Sequence, residues 1–527
     1  MKRILASPTL WIFCWLCLSV AIAALGPLYG VPDTAWLSGE WLLAGMLLLW
    51  LNPQTKRTWA WLWWGAWAFL IFLQLYGLFT WRLYRVSPNF YHEWSLLTEV
   101  LPIFWSELSL GKLSAYLPLL LLVVLGIGLS FILLRFLIRR AKLWGGVPAG
   151  GSSLGLILLL GLLSSNVQWT SAQIWQNWQD SRQLYQEVNT QSDLAPFTQN
   201  WSDSLGTRPD IYLVFLESYG KVLATDEAFA ERYNQLIGEL ETSLAKRRWG
   251  MRSTWSEAPI SGGRSWLAFS SFMTGKKLYA HPQYTALLNR EPDYPHLVRY
   301  LKDQGYYSLR MNTLKAKTQS ARIPYALYDR FFAFDDWLKE PDFPYTGPAY
   351  GKFGSLPDQF ALGYAREEVI KDRRPFFLFF ITLNSHSPWN DIPVMTDNWR
   401  ELERLPDTAQ SGQTSSVMAG LAEDKYWRAM DYQLRMMTQF IEQQGDSNSL
   451  FIFLGDHQPP FLTDAKDDLA TPVHIVSQDY DLLDRFAERS FVEGLKLDRQ
   501  QKAPYRHEDF YMLLREVLSQ KAPARPQ

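Results

Sequence analysis

Phe451-Ile-Phe-Leu-Gly-Asp-His457 is the stretch on which the reading of this chain turns. Four consecutive apolar residues predict a buried strand that stops at Gly455. A carboxylate and an imidazole follow at its carboxyl end, where open α/β sheets hold their ligands. Asp and His offer a hard oxygen and a borderline nitrogen, a donor pair suited to Zn²⁺ or Mn²⁺. Two ligands do not make a site, so partners are expected at the ends of other strands.

Such partners recur on both sides of the stretch. Ile211 to Leu216 is an unbroken apolar run, hence a buried and parallel strand, and it ends in Glu217. Phe376 to Leu383 is another, followed by Asn384-Ser-His386-Ser-Pro-Trp389. Tyr306–Met311 and residues 472–477 read as further strands, the second carrying His474. Helical patterns fall at 226–247, 294–304, 422–445 and 507–518. Ser261-Gly-Gly-Arg-Ser265 reads as a tight glycine turn that opens a helix over 265–275. Ser265 would sit at that helix start, where free N–H groups favour an anion such as a phosphoryl group. Strands alternating with helices predict an α/β domain with a mostly parallel central sheet. The sequence contains no internal repeat, P-loop or dinucleotide fingerprint.

The averages hide a division. The chain has 527 residues and a net charge of -1, which leaves no global basic field to recruit nucleic acid. Residues 1–166 are rich in Leu, Trp and Phe, whereas 167–527 have ordinary soluble composition. Both cysteines, Cys14 and Cys17, lie in the first apolar stretch, so the soluble part has no disulfide, as suits an extracytoplasmic location. Five apolar segments, at 8–29, 35–52, 59–81, 115–138 and 151–166, predict a bundle of about five membrane-spanning helices. Lys2, Arg3, Lys56, Arg57, Arg135, Arg139, Arg140 and Lys142 would then face the cytoplasm, which puts everything after 166 outside; Arg82 and Arg85 oppose that pattern mildly. Residues 86–112 are too polar to span and predict an interfacial segment. The expected organisation is a transmembrane domain over 1–166, a juxtamembrane helix and linker over 167–207, a catalytic domain over 208–520 and a Pro- and Ala-rich flexible tail over 521–527.

Glu217, Asp456, His457 and the hydroxyl of Ser265 together make a four-ligand set for one divalent metal, Zn²⁺ or Mn²⁺, with Mg²⁺ a third candidate. A metal there would lower the pKa of the serine and activate it as a nucleophile. Leu216-Glu-Ser218, the helix 265–275, Asn384-Ser-His-Ser-Pro388 and Gly455-Asp-His457 resemble, in their order and strand-end placement, the alkaline phosphatase–sulfatase superfamily. Within it the chain resembles the membrane-bound phosphoglycerol and phosphoethanolamine transferases, the group of lipoteichoic acid synthase and the lipid A phosphoethanolamine transferases.

That resemblance implies a sulfatase-like catalytic domain in which Ser265 is the nucleophile and carries a covalent phospho-intermediate. Glu217, Asp456 and His457 would be metal ligands, with Ser265 the fourth. His386 would contact the substrate phosphate or protonate the leaving oxygen, and His474 would do likewise. The implied donor is a phospholipid and the implied acceptor an envelope glycan or lipid, at the outer face of the cytoplasmic (inner) membrane. Close relatives mostly use Thr where this chain has Ser265, and Ser261 stays open as an alternative. Ser265 is followed by Trp-Leu-Ala-Phe rather than the Pro and Arg that formylglycine conversion needs. Two rival readings are a sulfatase or phosphodiesterase-type hydrolase on the same fold, and an inactive lipid-binding regulatory membrane protein.

Overall fold

The computed structural model describes residues 8–28, 31, 34–51, 57–84, 126, 128–140, 156–189, 208–290, 294–314, 325–351, 354–389, 391–405, 422–460, 462–463 and 468–519. The chain divides into two compact units, Met1–Leu184 and Tyr185–Gln527.

In the first unit, apolar helices occupy Pro8–Ala23, Gly39–Leu51 and Arg57–Tyr84, with further helix over 128–140 and 156–162. Tryptophans hold them together. Trp15 stacks between Trp11 and Trp41, at ring-centroid distances of 5.2 and 4.7 Å, and its indole N–H donates to the Trp41 carbonyl. Among the described residues one helix, over Ala60–Leu78, is long and apolar enough to cross a membrane; Pro8–Ala23 and Gly39–Leu49 are shorter. That helix coincides with the third of the five expected spans. Residues 86–112 and much of the fourth expected span lie outside the described residues, so the count of five is not established. Leu37–Ser38 pairs in parallel with Val167–Gln168, after which a helix runs over Thr170–Asn189 with Trp175 and Trp178 exposed. The rest of the expected linker, 190–207, and the tail after 519 are not among the described residues.

The second unit is built on a nine-stranded sheet. Its strands are β1 (Asp210–Leu216), β2 (Gly250–Glu257), β3 (Tyr307–Asn312), β4 (Asp336–Lys339), β5 (Phe376–Ile381), β6 (Ser449–Gly455), β7 (Ala470–Ser477), β8 (Val492–Glu493) and β9 (Tyr505–Arg506). Their order is β8-β2-β7-β6-β1-β5-β3-β4, with β9 beside β2. The pairs β6–β1, β1–β5, β5–β3 and β3–β4 are parallel, whereas β7 runs antiparallel to both β2 and β6. The sheet is therefore mixed with a parallel centre, as the apolar runs predict.

Those runs are unbroken because both faces of the centre are covered. On one face Tyr212, Val214 and Leu216 pack with α1 (Ala230–Lys246) and α4 (Ala422–Gln444); Tyr212 stacks on Phe451 at 4.4 Å and meets Phe440 edge-on at 5.6 Å. On the other face Phe215 meets Phe272 of α2 (Ser265–Thr274), which stacks on Phe510 of α5 (Phe510–Leu518) at 5.0 Å. A further helix, α3 (Asp358–Tyr364), precedes β5. Every residue of β1 and β6 is buried. Burial of this kind stabilises by roughly 1.5–3 kcal/mol for each large apolar side chain.

Candidate active site

The register of two strands assembles the centre of the site. β1 and β6 are neighbours with Leu216 opposite Gly455, so Glu217 and Asp456, the next residue on each strand, emerge side by side. Glu217, Asp456 and His457 are 3%, 0% and 0% exposed, and one ligand atom from each lies within 4.8 Å of the others. Among the described residues no other group of His, Cys, Asp and Glu converges in this way.

Each member is held from behind. The Glu217 N–H donates to Thr382 Oγ1 at 3.0 Å, and its carbonyl accepts from Ser385 Oγ at 2.8 Å. Ser218 has φ 64°; its N–H donates to Asp456 Oδ1 at 2.8 Å, its hydroxyl donates to Glu217 Oε1 at 3.1 Å, and its carbonyl accepts from Tyr426 Oη at 2.8 Å. The His457 N–H also donates to Asp456 Oδ1, at 2.8 Å. His457 Nδ1 lies 2.9 Å from the Gln458 carbonyl and donates to it, which leaves the Nε2 lone pair facing the carboxylates: Asp456 Oδ2 at 3.3 Å and Glu217 Oε1 at 3.5 Å.

Ser265 reaches the same place from the start of α2. Gly262, Gly263 and Arg264 all have positive φ, at 67°, 134° and 59°, and the Gly262 N–H donates to the Gln458 carbonyl. Two glycines in succession let the chain turn sharply enough to aim the helix at the cluster. The half-buried Ser265 hydroxyl donates to Glu217 Oε2 at 3.1 Å and lies 3.4 Å from His457 Nε2.

The electrostatics are those of crowded buried charge. Burial pushes the Asp456 carboxyl up to about 7, and the neighbouring Glu217 charge adds to this. Burial opposes protonation of His457, yet the carboxylates of Asp456 and Glu217 outweigh it and raise its pKa. Asp456 Oδ2 is buried without a hydrogen-bond partner and is turned toward the His457 Nε2 lone pair. Two carboxylates, an imidazole nitrogen with its other nitrogen engaged, and a hydroxyl form a donor set that could hold a small divalent cation.

The structure thus brings Glu217, Ser265, Asp456 and His457 together. Ser261 is buried, and none of the hydrogen bonds to the cluster described above involves it. His386 follows Ser385 on the turn after β5, half-buried, with Nδ1 2.6 Å from the Ser387 carbonyl. His474 departs from its expected role. It points into the core from β7, fully buried, with Nε2 2.9 Å from Tyr219 Oη and Nδ1 2.7 Å from Ser253 Oγ. Burial drives its pKa down to about 3, so it is a neutral core histidine with both nitrogens engaged. Four residues support the site in roles that the sequence reading does not assign: Ser218 and Ser385, which lie within the quoted motifs, and Thr382 and Tyr426, which do not. The signal for Thr382 is its placement at the end of β5.

A comparison with protein families matches residues 258–485 to the sulfatase family. A search of curated protein sequences found no match. Among solved structures, the chain is similar to the lipoteichoic acid synthase LtaP of Listeria monocytogenes, at 17% identity and TM-score 0.37, covering 53% of this chain and 69% of that one. It is similar to the lipooligosaccharide phosphoethanolamine transferase EptA of Neisseria meningitidis, at 11% identity and TM-score 0.37, covering 75% of each chain. The phosphoglycerol transferase GacH of Streptococcus pyogenes, solved with sn-glycerol-1-phosphate, matches at 14% identity and TM-score 0.37, over 66% of this chain and 87% of that one. By their names, these three proteins are a lipoteichoic acid synthase, a phosphoethanolamine transferase and a phosphoglycerol transferase. The match over residues 258–485 takes in the region that carries Ser265, Asp456 and His457.

Proposed function

We propose that this chain is a membrane-attached, metal-dependent transferase that moves a phosphoglycerol or phosphoethanolamine head group from a phospholipid to an envelope glycan or lipid, with Ser265 as the covalent nucleophile. The observation that carries this reading is the position of the Ser265 hydroxyl, 3.1 Å from Glu217 Oε2 and 3.4 Å from His457 Nε2 at the start of a ten-residue helix.

Glu217, Asp456 and His457 would hold the cation, with Ser265 as fourth ligand. A bound Zn²⁺ or Mn²⁺ would supply Lewis acidity, lowering the pKa of the serine hydroxyl and polarising a phosphoryl oxygen. The remaining work falls to the chain. Glu217 Oε2 orients the Ser265 hydroxyl by accepting its hydrogen bond. The start of α2 offers N–H groups to the phosphoryl oxygens. Ser265 Oγ gives its proton along its hydrogen bond to Glu217 Oε2 and forms a bond to phosphorus as the bond from phosphorus to the diacylglycerol oxygen breaks, and that oxygen takes up a proton. In this reading His386 supplies the proton; with Nδ1 held against the Ser387 carbonyl, Nε2 is the nitrogen that exchanges it. An acceptor hydroxyl then gives its proton to His386 and bonds to phosphorus as the bond from phosphorus to Ser265 Oγ breaks, and the serine oxygen takes its proton back from Glu217. The apolar first unit, on the expected orientation, keeps the reaction at the outer face of the cytoplasmic membrane, where the donor lipid resides.

The test is the mass of the peptide carrying Ser265 after the purified full chain is incubated with mixed phospholipids and Mn²⁺ or Zn²⁺. A phosphoglycerol or phosphoethanolamine adduct, absent in Ser265→Ala and after chelation, is the expected result. An adduct on Ser261 would move the nucleophile. No adduct, with no metal retained, would overturn the reading in favour of an inactive lipid-binding protein.

A further inference from the structure

We infer that Asp358 is a positioning residue of the reaction centre: from outside the cluster it grips the turn that holds Glu217 and presents His386. The inference rests on the metal-dependent reading above for what the centre does, and on the following contacts for how Asp358 acts.

Asp358 is the first residue of α3 and is 0% exposed. Both carboxylate oxygens are committed to the turn after β5. Oδ1 accepts the Leu383 N–H at 3.0 Å, and Oδ2 accepts the N–H groups of Leu383 and Asn384 at 3.1 and 2.9 Å. The grip is mutual, because the Asp358 N–H donates to Asn384 Oδ1 at 2.7 Å. No ion pair accompanies it among the described residues, so these N–H groups are the main offset to its burial. An amide with its oxygen at the Oδ2 place would keep the Asn384 bond but turn its NH₂ against the Leu383 N–H that Oδ1 accepts.

The turn so gripped is the one that holds Glu217. Thr382 Oγ1 takes the Glu217 N–H and Ser385 Oγ gives to the Glu217 carbonyl, so both backbone polar groups of Glu217 end on residues beside Leu383 and Asn384. His386 belongs to the same turn, its N–H donating to the Leu383 carbonyl at 3.1 Å. Loosening Leu383 and Asn384 therefore frees Glu217 from behind and His386 from its base together. A residue that only capped α3 would have no such path.

The test compares Asp358→Asn with the wild-type full chain in detergent, reading Mn²⁺ affinity by titration calorimetry and lipid-transfer kcat and KM separately. Gln359→Ala is the control on the same helix, since Gln359 ties instead to the Thr396 carbonyl. Asp358→Asn is expected to weaken Mn²⁺ binding by about tenfold or more and to lower kcat with little change in KM. Gln359→Ala should stay near wild type in both, whatever it does to melting temperature. Should Asp358→Asn not fold, Thr382→Val cuts the same path one step nearer Glu217 and is expected to show the same loss of affinity. Wild-type Mn²⁺ affinity and kcat in Asp358→Asn, or in Thr382→Val where that variant stands in, would overturn the inference alone, as would an equal loss in Gln359→Ala. A wild-type chain that binds no Mn²⁺ would defeat the metal-dependent reading and this inference with it.

Discussion

Gly455 closes β6 immediately before Asp456 and His457, and replacing it with Ala tests whether strand register builds the site. A Cβ at this position would lie 1.8 Å from the Tyr219 carbonyl oxygen, 2.8 Å from the Tyr219 carbonyl carbon and 3.0 Å from Thr471 Cβ. The first two neighbours are backbone, so no side chain can swing aside. Moving the oxygen out to even 3.0 Å requires a displacement of roughly 1.2 Å, shared between the end of β6 and the segment after Glu217. Overpacking of this sort costs about 1–3 kcal/mol of stability. Its effect on the site is larger, because the shift falls between the strand that carries Glu217 and the one that carries Asp456 and His457, and misplacement by about 1 Å can cost on the order of 100-fold in rate. The assay is thermal melting with Mn²⁺ affinity and lipid turnover on the same preparation. Gly455→Ala should melt below wild type and lose most metal affinity and turnover. A variant with wild-type melting, affinity and turnover would refute the claim that the β1–β6 register assembles the cluster.

Gly238 lies inside α1 with nothing within 4 Å of the place an added methyl group would take, so Gly238→Ala should raise stability by roughly 0.5–1 kcal/mol and leave turnover unchanged, as checked by chemical denaturation. His474 predicts a pH effect. Its folded pKa of about 3 lies below an unfolded value of roughly 6.5, so between these the unfolded chain holds the extra proton and stability falls as pH falls. The contribution lost is roughly 1.4 kcal/mol per pH unit below ~6.5. His474→Gln should be less stable than wild type at pH 7.5, and the gap should narrow by about 2 kcal/mol at pH 5; a gap independent of pH in denaturation curves would contradict a neutral core histidine.

The centre of the fold could be read from the sequence because β1, β5 and β6 are covered on both faces, which leaves uninterrupted runs such as Phe376–Ile381. β2 escaped notice. Gly-Met-Arg-Ser-Thr-Trp-Ser-Glu mixes polar residues into a mostly buried strand, and two of them are there to bond histidines: Ser253 to His474 and Ser256 to His507. β4 has four residues and lies at an edge, too short to leave a pattern. Glu217, Asp456 and His457 stood out because chemistry placed at strand ends interrupts the apolar runs. Their supports did not, since each bond joins distant parts of the chain: Thr382 to Glu217, Ser218 to Asp456, Tyr426 to Ser218. His474 misled for the same reason. A histidine within an apolar run looks like a ligand until Tyr219 and Ser253 arrive from far upstream to satisfy both nitrogens.

The place of β1 at the middle of the sheet has a consequence for biosynthesis. Among the described residues it is the first strand of its unit to be made, yet its neighbours begin only at Phe376 and Ser449. Until those stretches emerge, a strand that is apolar from Ile211 to Leu216 waits with both edges unpaired, the slow and aggregation-prone situation that non-local parallel pairing creates. Ser265 is likewise made well before Asp456 and His457. A half-made chain carries the serine without its cluster, so the candidate centre comes together only after β6 and the two residues that follow it have been made.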